Sequence, residues 1–161
     1  MGRLSALGFE QLFSGPVGET NAYVLHPRGR VGVIAETATG YLLQLGAILA
    51  TGNTAVVESN VLSGVDSAAL RSLLGGRLHV VTSLDAESDL QSILFEGSAS
   101  GLLGLNQRIA ARPGSILSVQ ARTADQLARG IDYNMPLLLE ERSISTNTAA
   151  AGGNASLMSI G

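Results

Sequence analysis

The chain has 161 residues, of which 45% are hydrophobic and only 14% are charged, with a net charge of −3 and no cysteine. This composition excludes a disordered chain, a disulfide scaffold, a cysteine-based zinc module and a thiol enzyme, and ten basic residues without a basic run argue against nucleic-acid binding. The longest apolar stretch, residues 42–50, is far shorter than the roughly 18 residues that a membrane span needs. No secretory leader is visible at the N-terminus, so we expect a cytoplasmic protein with one domain of ordinary size.

Short apolar runs alternate with segments of helical period through the middle of the chain. We predict strands over residues 30–35, 54–58, 78–82, 92–95, 115–120 and 142–148. We predict helices over residues 39–51, 66–74, 98–111 and 123–133, and a polar helical turn over residues 85–91. The alternation is typical of an α/β fold with a Rossmann-like parallel sheet. We expect an N-terminal arm over residues 1–14, a Rossmann-like domain over residues 15–141, and a C-terminal strand and tail over residues 142–161.

Helical spacing also predicts which side chains of these helices are buried and where two of the helices begin. Leu127 and Ile131 share one face of the helix over residues 123–133. Thr37 or Thr39 is expected to cap the helix over residues 39–51, and Asp66 or Ser67 the next one. The expected apolar face of the helix over residues 39–51 consists of Tyr41, Leu42, Leu45, Ile48 and Leu49.

Three groups of residues are candidates for chemistry, and each also has a purely structural interpretation. His26 and His79 lack carboxylate or thiol neighbours at ligand spacing, so we expect no metal site, and His79 is expected to be a core or edge residue of its strand. The run Gly97-Ser-Ala-Ser-Gly101 follows a strand and opens a helix, where phosphate can bind, but its spacing is not that of a dinucleotide fingerprint and a structural turn is favoured. Glu140 and Glu141 are interpreted as a solvated helix end rather than an acid–base pair.

Two further features leave alternatives open. The low charge reflects either small neutral residues on the surface or a surface covered by another domain. The nearly uncharged segment of residues 147–156 is either a frayed terminus or a segment that packs closely on another surface. We favour packing, because Leu157, Met158 and Ile160 follow it and would prefer burial.

Several segments resemble the aldehyde dehydrogenases. They are Gly15-Pro-Val-Gly-Glu-Thr-Asn21, Ala47-Ile-Leu-Ala-Thr-Gly-Asn-Thr-Ala-Val-Val57, Leu94-Phe-Glu-Gly-Ser98, and the ending from Glu141 to Gly161. The likeness is closest to the bacterial proline utilization A (PutA) family, and the ending resembles the C-terminal motif of its long members. The resemblance implies an aldehyde dehydrogenase-like domain whose parent enzyme uses NAD and FAD.

The departures from the family pattern imply that this domain has lost its cofactor and its chemistry. Residues 36–41 replace the family's Trp-Asn-Phe-Pro segment, Glu58 stands where the family has a ribose-contacting Lys, and Glu96 replaces the Thr of the phosphate turn. A carboxylate there would repel a pyrophosphate. The catalytic Cys is missing. We therefore expect no cofactor for this chain and treat four positions as degenerate cofactor positions: Glu58, Glu96, Gly97 and Ser98.

Three functional hypotheses follow. The first is a non-catalytic domain of PutA that packs on the dehydrogenase domain and helps to close the cavity through which pyrroline-5-carboxylate, or its open semialdehyde, passes. Its partners would be the dehydrogenase and proline dehydrogenase parts of PutA, fused or separate. The residues expected to pack between the domains are Asn147, Thr148, Ala149, Ala150, Ala151, Gly152, Gly153, Asn154 and Ser156. The second is an NAD-binding portion of an L-glutamate γ-semialdehyde dehydrogenase, and the third is an unrelated nucleotide-binding domain.

Overall fold

The computed structural model describes residues 7–15, 18–59 and 67–147. The strands among them are β1 (Gln11–Ser14), β2 (Glu19–Pro27), β3 (Arg30–Ala35), β4 (Thr54–Glu58), β5 (Leu78–Val81), β6 (Leu90–Glu96), β7 (Ser118–Arg122) and β8 (Leu139–Asn147). The α-helices are α1 (Ala38–Ala50), α2 (Ser67–Leu74), α3 (Ala99–Ala110) and α4 (Ala124–Ala128). Single 3₁₀ turns lie at Gly75–Arg77, Leu84–Ala86 and Met135–Leu138. No helix in these ranges is both long and apolar enough to cross a membrane.

The described residues form two compact units, one over 27–140 and one that combines residues before 27 with residues after 140. The first unit contains a five-stranded sheet with the order β5-β4-β3-β6-β7. All of its neighbouring strands run parallel. This confirms the predicted α/β fold with a Rossmann-like parallel sheet.

Helices cover both faces of this sheet, because successive residues of a strand point to opposite sides. Ala55 and Val57 of β4 belong to the apolar cluster that contains Tyr41, Leu45 and Ile48 of α1. Val56, between them, belongs to the opposite cluster, with Ile93 of β6 and Leu105 of α3. The apolar runs of the sequence therefore became strands that are buried on both faces.

The second unit is a three-stranded sheet with the order β1-β2-β8. Strands β1 and β2 pair antiparallel, with Phe13 opposite Asn21 and the rings of Phe13 and Tyr23 in edge contact at 6.2 Å. Ser145 of β8 donates a hydrogen bond of 2.8 Å to Glu19 of β2. Val24 is the buried side chain among the residues described in this unit, so the sheet contributes little apolar core of its own.

Five predictions of local structure were wrong, and one of them is the strand over residues 115–120, which is β7 at Ser118–Arg122. The helix predicted over residues 123–133 is α4, which ends at Ala128, because Gly130 follows with a φ of +76° and leaves Ile131 44% exposed. The helical turn predicted over residues 85–91 is the shorter 3₁₀ turn at Leu84–Ala86, and β6 begins already at Leu90. Leu42, predicted to be buried in α1, is 55% exposed. Glu140 and Glu141 are solvent-exposed, as expected, but lie in strand β8 and not at a helix end.

Candidate functional site

The candidate site lies at the carboxyl ends of β3 and β6, the central pair of strands. From β3 the chain crosses through α1 to β4 on one side, and from β6 it crosses through α3 to β7 on the other. In doubly wound sheets, such a switch point is the place where nucleotides bind, with phosphates at the helix N-termini. The turn Glu96-Gly97-Ser98, for which the sequence favours a structural role over phosphate binding, ends β6 here.

Glu96 fills the space at the N-terminus of α1. Its side chain is 1% exposed, and Oε2 accepts hydrogen bonds from the backbone N–H groups of Glu36 and Thr37, both at 2.9 Å. The hydroxyl of Thr37 donates a third bond to the same oxygen at 3.2 Å, while it accepts one from the N–H of Gly40 at 3.0 Å. Thr37, one of the two predicted caps, is therefore the N-cap of α1.

Glu36 makes the reciprocal contact at the start of α3. Its Oε1 accepts from the N–H of Ser98 at 3.4 Å, and Ser98 is the N-cap of that helix, accepting from the N–H of Gly101 at 3.1 Å. Glu96, the last residue of β6, thus contacts the start of α1, and Glu36, the residue after β3, contacts the start of α3. Sequence reasoning missed Glu36, although an acidic residue between a strand and a helix is a signal that could have drawn attention to it.

Two glycines make room for these carboxylates. A Cβ at Gly40 would lie 2.5 Å from Oε2 of Glu96, and a Cβ at Gly97 would lie 2.6 Å from Oε1 of Glu36. At these distances a Cβ could be placed only if the carboxylates shifted. Gly97, one of the degenerate cofactor positions, therefore gives close approach to a side chain of this chain.

Glu58 ends β4, the neighbouring strand, and its carboxylate is engaged as well. Oε1 accepts from the N–H of Leu84 at 2.9 Å and lies 3.5 Å from Nη2 of Arg108. Arg108 also binds Asp85 at 3.1 Å, and these carboxylates, Asp85 above all, raise the pKa of Arg108. The structure shows that Glu58 links β4 to the turn before β6 and to α3.

A buried polar network lies behind the site and joins α1 to the ends of both central strands. Gln44, fully buried, accepts from the N–H of Ile34 at 3.1 Å and donates to the carbonyl of Ile34 at 2.8 Å and to Oη of Tyr133 at 2.9 Å. Tyr133 donates in turn to the carbonyl of Phe95 at 3.0 Å. Burial, helped by the negative charge of Glu96, raises the pKa of Tyr133 to about 12.

His79 and the predicted packing residues are the remaining candidates. His79 is exposed on β5, an edge strand of the sheet, as expected, and its ring lies 3.2 Å from the carbonyl oxygen of Gly76. In the part of the chain that the structure describes, no three metal-binding side chains come together. Asn147 is the last residue of β8. The other predicted packing residues, from Thr148 to Ser156, lie outside the described residues, as does Asp66.

The fold of the first unit is shared by solved aldehyde dehydrogenases. An NAD-dependent benzaldehyde dehydrogenase from Corynebacterium glutamicum matches 76% of this chain and 29% of its own, with a TM-score of 0.55. Its 20% identity shows a likeness of fold alone. A crystal structure of a variant of proline utilization A from Bradyrhizobium japonicum matches 73% of this chain and 14% of its own, with a TM-score of 0.58 and 27% identity.

Sequence comparison finds similarity to the bifunctional protein PutA of several bacteria. The bifunctional protein PutA of Rhizobium meliloti is 44% identical over 99% of this chain, and that of Escherichia coli is 39% identical over 99%. No protein-family model matches the chain. The chain is thus homologous to PutA over nearly its whole length, and it spans 13% and 12% of the length of these two relatives.

Proposed function

We propose that this chain is a non-catalytic, aldehyde dehydrogenase-like domain of a PutA-type proline catabolism enzyme. In this role it packs on the dehydrogenase domain and helps to close the cavity in which pyrroline-5-carboxylate, or its semialdehyde, passes from one active site to the next. Enclosure keeps the intermediate from escaping to solvent and keeps the reacting site dry. The NAD and FAD of the reaction would be held by other parts of the enzyme.

The observation that carries this proposal is the pair of carboxylates at the switch point. A dinucleotide in such a sheet needs free N–H groups at a helix N-terminus. Here Glu96 accepts from the N–H groups of Glu36 and of the N-cap of α1, and Glu36 accepts from the N–H of the N-cap of α3, so carboxylates stand at both helix starts. Two charges 4 Å apart repel by about 1 kcal/mol in water and about 4 kcal/mol at the effective dielectric constant near a protein surface. The residues at this edge therefore do not fit a bound pyrophosphate, and no step through NAD is assigned to them.

The surface of the first unit supports a packing role. Leu42 and Leu43 of α1 are 55% and 37% exposed, and with Met135 they line an apolar groove of about 200 Å³. Apolar side chains in one groove are typical of surfaces that meet another protein surface. We also propose that residues 147–156, which continue from β8, pack against the dehydrogenase domain through backbone and small side chains.

A chimera tests this role directly. The segment of Rhizobium meliloti PutA that matches this chain is deleted in one variant and replaced by this chain in a second. We expect the deletion to lower the coupled conversion of proline to glutamate while the flavin half-reaction is unchanged, and we expect the replacement to restore coupled flux.

The matched control for the chimera is the same replacement carrying Gly153→Val, which should restore less flux because a branched side chain prevents close backbone packing. A replacement that leaves flux as low as the deletion does would contradict the proposed role. A replacement chain that oxidises the semialdehyde by itself would favour the NAD-binding alternative.

A further inference from the structure

We draw no further inference here: the strongest candidate, the cavity of about 430 Å³ between α3 and the edge strand β7, with Ile116 97% exposed in its wall, is an unpartnered surface, and nothing in the structure shows what covers it.

Discussion

Replacing Tyr133 with phenylalanine removes one hydroxyl from the buried network behind the site. That hydroxyl accepts from Gln44 at 2.9 Å and donates to the carbonyl of Phe95 at 3.0 Å, and Tyr133 is 5% exposed. The change leaves two buried polar groups without this partner, at about 1–3 kcal/mol each. We therefore expect Tyr133→Phe to lower the free energy of unfolding by about 2–6 kcal/mol.

Tyr41 is the matched control, because it is buried to the same degree and lies in the same apolar cluster. Its hydroxyl has no hydrogen-bond partner within the described ranges. Tyr41→Phe should be neutral or stabilise the chain by up to about 1 kcal/mol, because an unpaired buried hydroxyl is removed.

Urea unfolding followed by far-UV circular dichroism measures both variants. The midpoint should fall in Tyr133→Phe and stay or rise in Tyr41→Phe, with the slope unchanged in both. Equal losses in the two variants would refute the reasoning, since the cost would then come from the shape of the ring's surroundings and not from the hydrogen bonds.

Three further predictions concern the same unit. Gly40→Ala should destabilise the chain by about 1–3 kcal/mol, because the new Cβ meets the buried carboxylate of Glu96. Gly46 lies on the same helix with open space around it, so Gly46→Ala should stabilise the chain by about 0.5–1 kcal/mol. Thermal unfolding of both variants checks this prediction. Asn53→Ala removes bonds to Gly29 and Leu138 at 2.8 and 2.9 Å and should cost at least about 2 kcal/mol, against about 0.5 kcal/mol or less for the exposed Asn106→Ala, as measured by urea midpoints. The raised pKa of Tyr133 means that the folded chain holds the hydroxyl proton of Tyr133 more tightly than the unfolded chain does. The stabilisation that comes from this difference is therefore complete below pH 10 and is lost as the pH rises from about 10 to about 12. The sequence has no lysine, so tyrosines dominate this pH range, and urea midpoints at pH 9 and pH 11 should differ less in Tyr133→Phe than in the native chain.

The sequence predicted the sheet well where local signals were strong. The strands predicted over residues 30–35 and 54–58 agree with β3 and β4 to the residue, because each is a short β-branched run with polar or glycine boundaries. The helix over residues 123–133 failed because two apolar residues at helical spacing outweighed Gly130, which takes a left-handed conformation.

The site was only partly predictable, because its contacts join residues that are far apart in sequence. Glu96 was recognised as a departure from the family pattern, but its partner, the N-terminus of α1, is 59 and 60 residues away. β3 lies beside β6 because of the order of the strands in the sheet, and the pattern of apolar residues within each strand does not predict that order. Nothing local in the sequence shows that Gln44 bonds both backbone groups of Ile34.

Calorimetric titration of NAD⁺ into the purified, folded chain tests the central claim most directly. The claim is that this chain's own carboxylates take the place of a dinucleotide at the switch point. It predicts no saturable heat with millimolar NAD⁺ while circular dichroism reports a folded α/β chain. Saturable binding in the micromolar range would contradict the claim, because a pyrophosphate would then bind at this edge in spite of Glu96 and Glu36.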